Sequence, residues 1–508
     1  MIKRILFYVM FVCILFTYSC IGKKEKEAEQ KPKPNFVFIL VDDLGKEWIS
    51  AYGATDIETP NIDALASKGI KFNNAYSMPQ CTPSRVALLT GKYPYANGWV
   101  NHYDVPRWGN GANFDAVQNP TFINELRTHG YRTCIAGKWQ INDFRIEPDA
   151  LDKAGFDDYC MWTGYESGNP ASAERYWDPY IFTKEGSKTY KGAFGPDIFS
   201  DFVLDFMRDN KESPMCIYYP MVLTHTPFVH TPRHQEAKTK YEKHQAMVSY
   251  TDFIVGKLVN GLKEMGLTDN TYLIFTTDNG TVPSIIGSRD DVYVQGGKSY
   301  LTENGINAPF LVITPDQLNF ETDALIDFTD ISETLLELAG IEEPLNPNGS
   351  ARSFADVLTG KNQKGSKEWI LAMGGQPAIL NEENRVENYF TFRDRVIRDS
   401  RYKVYLDTLK QLHRIFDMKT DPYEQRNLID TAGLVPILEK FKLIVNALPN
   451  EDAQPSYQKT DTLSGNISRE DLNRLAKSNQ RNSNMMPLSN KEAYVELQNE
   501  TLKPNKNN

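Results

Sequence analysis

Two short apolar runs, far apart in the chain and each ended by acid or amide side chains, constrain the fold more than any other feature. Phe36-Val37-Phe38-Ile39-Leu40-Val41 runs into Asp42-Asp43, and Tyr272-Leu273-Ile274-Phe275-Thr276-Thr277 runs into Asp278-Asn279-Gly280. Runs of this length, rich in β-branched and aromatic residues, suit strands buried on both faces, the habit of parallel sheets. Helical periodicity between and around them, over 61–68, 121–129, 199–207 and 241–265, predicts an α/β fold: a large domain with a mostly parallel central sheet flanked by helices. Ligands of open α/β sheets collect at the carboxyl ends of strands, so these carboxylates are placed for a cation or a phosphate-like group. Asp-Asp after a strand equally suits a turn or a helix cap. Together the two ends offer Asp42, Asp43, Asp278 and Asn279, all oxygen donors, a set that selects Ca²⁺ or Mg²⁺ over zinc. Ca²⁺ is the expected ion.

The second constraint lies at 79–91, Pro-Gln-Cys-Thr-Pro-Ser-Arg-Val-Ala-Leu-Leu-Thr-Gly. Pro83 suits a first helical turn, Val86, Leu88 and Leu89 give the helix an apolar side, and Gly91 ends it. Cys81 then sits at a helix N-terminus, where exposed N–H groups favour a nucleophile or an oxyanion, with Arg85 one turn on. A buried structural cysteine is the plainer alternative for any single Cys.

Cys81-Thr82-Pro83-Ser84-Arg85 followed by Leu88-Leu89-Thr90-Gly91 closely resembles the signature of the formylglycine-dependent sulfatases of the alkaline phosphatase superfamily. Gly130 to Trp139, Thr224-His225-Thr226-Pro227-Phe228, Gly296-Gly297-Lys298 and Asp417 to Leu428 are similar to further segments of that family. The likeness covers roughly residues 34–445. It implies that Cys81 is oxidised to formylglycine by a maturation enzyme. It also implies that Asp42, Asp43, Asp278 and Asn279 hold a divalent ion that touches Cys81 and a sulfate oxygen. Arg85, Lys138 and Lys298 are then expected to steady the non-bridging oxygens, and His225 or Lys298 to protonate the leaving alcohol. His102, in a long Gly-, Asn- and aromatic-rich loop from Tyr93 to Asn119, is a candidate for substrate contact. Gln140 departs from the family, which commonly has His there to assist sulfate release, and Gln carries no proton at neutral pH. Asn304 and Asn307 replace the usual Gly and Arg of the Lys298 segment. The expected substrate is a sulfated saccharide. A phosphodiesterase or phosphonate monoester hydrolase, or a pseudoenzyme that binds sulfated glycans, are the alternatives.

The remaining sequence bounds the setting. Lys3-Arg4, an apolar run from Ile5 to Phe16 and small or polar residues up to Cys20 form an export signal, and Thr17-Tyr18-Ser19-Cys20 loosely matches a lipoprotein cleavage box. The expected organisation is a signal over 1–20, a tether over 21–34, a catalytic domain over 35–365, a C-terminal subdomain with a small antiparallel sheet over 366–450, and a polar tail over 451–508. The expected location is the periplasm or surface of a bacterium, bound to membrane only through a lipid on Cys20; plain secretion is the alternative. A net charge of −10 offers no broad basic face for nucleic acid. No close Cys pair suggests zinc, and at most one disulfide could join Cys134, Cys160 and Cys216. Residues 155–196 read as an irregular insertion, whose Trp162, Tyr165, Trp177 and Tyr180 serve either as packing or as faces for sugar rings.

Overall fold

The computed structural model describes residues 32–98, 114–142, 144, 147–162, 174–347, 349–375, 379–383, 386–454, 470 and 491–499. The signal, most of the tether, Cys20, His102, Tyr165 and most of the tail lie outside them. Among the described residues there are eighteen strands: β1 (Asn35–Val41), β2 (Ile70–Tyr76), β3 (Arg132–Lys138), β4 (Asp158–Trp162), β5 (Tyr180–Thr183), β6 (Gly186–Thr189), β7 (Met215–Pro220), β8 (Thr271–Thr277), β9 (Ile286–Arg289), β10 (Val292–Gln295), β11 (Asn307–Ile313), β12 (Phe320–Asp327), β13 (Trp369–Met373), β14 (Ile379–Leu380), β15 (Val386–Glu387), β16 (Arg395–Asp399), β17 (Tyr402–Leu406) and β18 (Leu412–Asp417). The principal helices are α1 (Pro60–Lys68), α2 (Cys81–Thr90), α3 (Phe122–Thr128), α4 (Gly195–Asp209), α5 (Lys240–Glu264), α6 (Phe328–Leu338), α7 (Val435–Ala447) and α8 (Lys491–Asn499).

The central sheet runs β12-β2-β11-β8-β1-β7-β3-β4-β5-β6. Its middle, β8-β1-β7-β3-β4, is parallel. β11 runs against both neighbours, and the β5–β6 hairpin closes one edge. Strand β1 shows why an unbroken apolar run was needed. Phe36, Phe38 and Leu40 enter one core with residues of α2, α3 and α6, while Val37, Ile39 and Val41 enter a second core with residues of α1, α4 and α5. A third core lies under the antiparallel sheet β13-β16-β17-β18, where α7 supplies Phe441 and Val445.

The sequence reading differs from the structure in three places. The insertion expected over 155–196 holds β4, β5 and β6, so it extends the main sheet. Trp162 and Trp177 are packing residues: Arg175 lies 4.1 Å over the first ring, and the second stacks at 5.3 Å on His230. In the polar tail, α8 is docked: Tyr494 and Leu497 are buried, and the Tyr494 hydroxyl lies 3.1 Å from that of Tyr241 on α5. Strands β2, β11 and β12 have no counterpart in the sequence reading. Cys134, Cys160 and Cys216 are free and buried. No described helix is long and apolar enough to cross a membrane.

Candidate active site

Every expected site residue except His102, which lies outside the described residues, gathers at the carboxyl end of β8, β1, β7 and β3. The strand exits are tied together by backbone. Asp278 N donates to Val41 O at 3.0 Å, Asp42 N to Leu223 O at 2.7 Å, and Thr224 N to Asp42 O at 2.6 Å. Helix α2 begins at Cys81 and ends at Gly91, whose φ of 65° is the left-handed turn that glycine adopts without a steric penalty. Lys138 ends β3 one residue after Gly137. There φ is 107°, and a Cβ would lie 2.1 Å from Pro220 O, so only glycine lets β3 pass β7 at this point. Lys298 is pinned from both sides, its own N–H reaching Thr281 O at 2.9 Å and that of Ser299 reaching Pro79 O at 2.7 Å.

The side chains form a closed charge network. Lys138 Nζ donates to Asp42 at 2.6 Å and Lys298 Nζ to Asp43 at 2.6 Å. Arg85 donates through Nε and Nη2 to Asp278 Oδ2 at 3.1 and 2.7 Å, and through Nη1 to Lys138 O at 3.0 Å. Asn279 Nδ2 donates to Asp43 Oδ1 at 2.8 Å, and Asp43 N to Asp278 Oδ1 at 3.2 Å. His225 Nε2 stands 3.6 Å from Asp43. Ligand atoms of Asp42, Asp43, Cys81 and His225 all fall within 4.8 Å of one another. Gln140 joins through its backbone, accepting from Thr82 Oγ1 at 3.4 Å. Asp43, Gln140 and Ser299 all have positive φ, 62°, 59° and 74°; non-glycine residues held this way cluster where function fixes the backbone.

Burial sets the protonation states. It raises the Cys81 thiol above its ordinary value, against the pull of Lys138 and Lys298, so the sulfur is a neutral thiol. Burial also works against the Asp42 carboxylate, but Lys138, His225, Arg85 and Lys298 outweigh it and hold that group low. Asp278 moves up, by burial first and by the Asp42 charge second. For Lys298, the Asp43 carboxylate overcomes burial and raises the ammonium. Burial, and next the Lys298 charge, push the His225 imidazole well below its ordinary range.

Unused acceptors test the fit to a metal. Asp42 Oδ1 and Asn279 Oδ1 are buried without a hydrogen-bond partner, and beside them so are Thr277 Oγ1, Gln80 Oε1 and Gln140 Oε1. Buried acceptor oxygens left idle are costly, and a hard cation is the partner that an all-oxygen set lacks. The residues therefore fit Ca²⁺ or Mg²⁺. Gln80 and Ser299, joined at 3.1 Å, were not anticipated; the only sequence signal was their position beside Cys81 and Lys298. Arg175 and Tyr176, which reach the His225 turn, had no signal at all.

Comparison with known proteins identifies the family. The Sulfatase family model matches residues 34–341, and the model of the N-sulphoglucosamine sulphohydrolase C-terminal region matches residues 296–451. An ulvan-active sulfatase of Formosa agariphila is 26% identical over 82% of this chain and 82% of its own. An N-acetylgalactosamine-6-O-sulfatase of Bacteroides thetaiotaomicron is 26% identical over 81% of this chain and 92% of its own. Among solved structures, a protein in complex with its substrate D-glucosamine-2-N,6-O-disulfate superposes with a TM-score of 0.64 at 20% identity, covering 82% of this chain and 97% of that one. A sulfatase from Pseudoalteromonas sp. also gives a TM-score of 0.64, at 22% identity, over 84% of this chain and 93% of that one. The chain belongs to the sulfatase family, enzymes that hydrolyse sulfate esters.

Proposed function

We propose that this protein removes a sulfate ester from a saccharide, using a formylglycine made from Cys81 and a divalent cation, Ca²⁺ in preference to Mg²⁺. The observation that carries the reading is the placing of Cys81. It stands at the N-terminus of a buried helix, among three cations and three carboxylates, with idle acceptor oxygens on the carboxylate side. A neutral, buried thiol is a weak nucleophile, and a sulfated serine or cysteine would be a stable dead end. Formylglycine supplies, as its hydrate, one hydroxyl to attack sulfur and a second through which sulfate is expelled. Cys81 is 2% exposed, so the maturation enzyme is expected to act before the chain folds.

Each residue of the chain then has a task. Asp42, Asp43, Asp278 and Asn279 would hold the cation, which when bound neutralises charge on sulfate oxygens. The charges of Asp42, Asp43 and Asp278 balance those of Arg85, Lys138 and Lys298, so a divalent ion leaves the pocket net positive and draws in an anion. Lys138 and Lys298 meet the non-bridging oxygens, and Arg85 fixes the Asp278 side. Of the two candidates for protonating the leaving alcohol, His225 and Lys298, the raised Lys298 ammonium is the better donor, and His225, kept neutral by burial, contacts the ester. Gln140 carries no proton and instead offers its idle Oε1 to a hydroxyl in the pocket. His102 remains a proposed substrate contact.

The saccharide is supported by the relatives named above, whose names specify ulvan and an N-acetylhexosamine 6-sulfate. The export signal and Cys20 support a lipid-anchored protein at a bacterial periplasm or surface, and the two-part organisation, 35–365 and 366–450, is proposed with them. A desulfation screen over defined sulfated mono- and oligosaccharides, with an aryl phosphate diester as control, tests the reading. Release of sulfate from a sugar, with the phosphate diester untouched, is the expected result. Hydrolysis of the diester alone refutes it.

A further inference from the structure

A cavity of about 460 Å³ lies between the central sheet and the antiparallel sheet β13-β16-β17-β18, and no residue of the Cys81 cluster lines it. Lys46 and Glu47, shortly past Asp42-Asp43, form one wall. The β9–β10 hairpin contributes Arg289 and Asp290, and β16 contributes Arg398 from the opposite side. Gln295, just before Gly296-Gly297-Lys298, also faces it, so the cavity and the active site are built on two shared segments of chain. Asn304 and Asn307, the two departures in the Lys298 segment, line it as well. An arginine at 307 would bring a longer side chain and a further charge against Lys46. Asn307 instead accepts from Lys46 at 2.7 Å and donates to Glu303 at 2.9 Å, which leaves the space open.

The lining leaves hydrogen-bonding groups of both kinds unused. Glu47 Oε1 and Arg398 Nε have no hydrogen-bond partner, in residues only 2% and 6% exposed. Arg289 donates through Nε to Tyr52 O at 2.8 Å, and among the described residues no acceptor takes its Nη groups. Lys46 Nζ commits two of its three donors, to Asn307 and to Asn73 O at 2.8 Å. Glu303 and Glu424 are already engaged, accepting from Tyr76, Asn307, Lys403 and Tyr405. Charge around the cavity cancels: Lys46, Arg289 and Arg398, with Lys403 behind them, stand against Glu47, Asp290, Glu303 and Glu424. Burial raises the Glu47 carboxyl to about 6, and burial and then the Arg289 charge push Lys46 well below its ordinary range, so both lean towards their neutral forms. Such a wall selects a ligand by hydrogen bonds and has no net charge with which to hold an ion. A hydroxyl is the ligand group that accepts from a guanidinium and donates to a carboxylate at once. The volume lies within the roughly 300–1,000 Å³ of small-molecule pockets.

We propose that this cavity holds one uncharged sugar unit of the glycan, its hydroxyls accepting from Arg289, Arg398 and Lys46 and donating to Glu47 and Asp290. That the sugar belongs to a substrate rests on the sulfated-saccharide reading; that the cavity binds a sugar does not, and two measurements keep them apart. In the first, holoenzyme is titrated with unsulfated N-acetylglucosamine, N-acetylgalactosamine, glucose and galactose, and binding is followed by saturation-transfer NMR. At least one sugar is expected to bind, to bind equally well to Lys298→Met, and to lose affinity about tenfold in Arg289→Gln and Asn307→Arg, the scale of a lost hydrogen bond to a charged group. Arg289 stands at the partly exposed rim, so its variant tests the cavity even if Asn307→Arg fails to fold. The second measurement compares KM on sulfated disaccharides that carry the bound sugar beside the sulfated one with KM on 4-nitrophenyl sulfate, which carries none. Arg289→Gln should raise the first about tenfold more than the second, at similar kcat. No sugar bound by the parent, or binding lost in Lys298→Met and kept in Arg289→Gln, overturns the proposal. So does inorganic sulfate, in place of any sugar, as the ligand that Arg289→Gln removes. Sugar binding in the cavity with equal changes of KM on the two esters overturns its link to the substrate. Sugar binding there in a protein that hydrolyses neither ester keeps the pocket and refutes the function proposed above.

Discussion

The protein buries two clusters of acids and cations, and they differ in what is left over. At the N-terminus of α6, Asp327 accepts from Thr329 N and Oγ1, from the Tyr93 hydroxyl and from Lys367 Nζ, while Asp330 accepts from Asp327 N, Arg352 N and Lys367. Every carboxylate oxygen in that cluster has a donor. In the cluster around Cys81, Asp42 Oδ1, Asn279 Oδ1 and three neighbouring side-chain oxygens have none. Both clusters are buried and both pair lysine with aspartate, Lys367 with Asp327 and Asp330, Lys138 with Asp42 and Lys298 with Asp43. Burial and ion pairing therefore do not separate a working site from a structural brace. Other buried oxygens also lack a hydrogen-bond partner, Glu47 Oε1 among them, so what marks the Cys81 cluster is that such acceptors occur at the strand ends that also carry its ion pairs, where a bound cation would satisfy them.

The largest effect that tests this contrast is loss of the nucleophile. Cys81→Ala is expected to abolish sulfate release, at least about 10⁴-fold in kcat, while the midpoint of thermal unfolding moves little, since the cost is one small side chain. Mass spectrometry of the parent peptide should show the thiol replaced by the aldehyde. An unmodified thiol in fully active enzyme breaks the reading outright. Next comes the cation. Chelation should reduce turnover by orders of magnitude and lower the unfolding midpoint, and Ca²⁺ should restore both; at 100 times its dissociation constant a ligand adds about 2.7 kcal/mol to stability. A chelator that leaves the midpoint and the rate untouched would falsify the oxygen cluster as a metal site.

The satisfied cluster should behave in the opposite way. Lys367→Met strands two carboxylates, Asp327 and Asp330, in a dry place and is expected to cost about 3–5 kcal/mol of stability. Turnover per folded molecule should stay near the parent value. Lys298→Met, at a position with similar pairing, should do the reverse, lowering kcat far more than the unfolding midpoint. If Lys367→Met slows catalysis as much as Lys298→Met does, the two clusters are not functionally distinct.

How much of this was legible follows from the same physics. β1 and β8 lie mid-sheet with apolar residues on both faces, so their runs were plain and their carboxyl ends marked the site. Helix α2 announced itself through Pro83 and Gly91. Strand β2, Ile70-Lys-Phe-Asn-Asn-Ala-Tyr, was not visible because Lys71, Asn73 and Asn74 are only partly buried and its pairings with β11 and β12 shift register, which breaks the alternation a strand is read by. β5 and β6 sit at the sheet edge, and β6 is exposed along its whole length, so no hydrophobic pattern is required of it. The docking of α8 depends on two side chains, Tyr494 and Leu497, in an otherwise polar tail. The charge network was legible only as residue types; that Lys138 meets Asp42 and Lys298 meets Asp43 is a property of the strand ends in space.

The smallest effect concerns an apparent exception to the contrast. His244 on α5 is wholly buried with neither ring nitrogen hydrogen-bonded, yet it lies outside the Cys81 cluster, edge-on to Trp48 at 4.4 Å and to Phe228 at 5.1 Å. Its neighbours are aromatic faces and no acceptor partner for a cation, so the idle nitrogens mark a neutral imidazole used as an aromatic ring. Burial lowers its pKa from 6.5 to about 3, with the Lys240 charge adding to it. The sign follows from where the proton goes. Between about pH 3 and 6.5 the unfolded chain binds a proton at this residue and the folded chain does not, so stability is lost as pH falls through that window, by up to about 1.4 kcal/mol per pH unit. His244→Phe removes the titration and keeps the packing. It should flatten the acid side of the stability curve, read by urea unfolding at pH 4 and pH 7, and leave turnover at neutral pH unchanged. An acid limb as steep as the parent's would show that His244 already finds a partner for its proton in the fold. A loss of turnover would mean that unsatisfied nitrogen, like unsatisfied oxygen, reports on the active site.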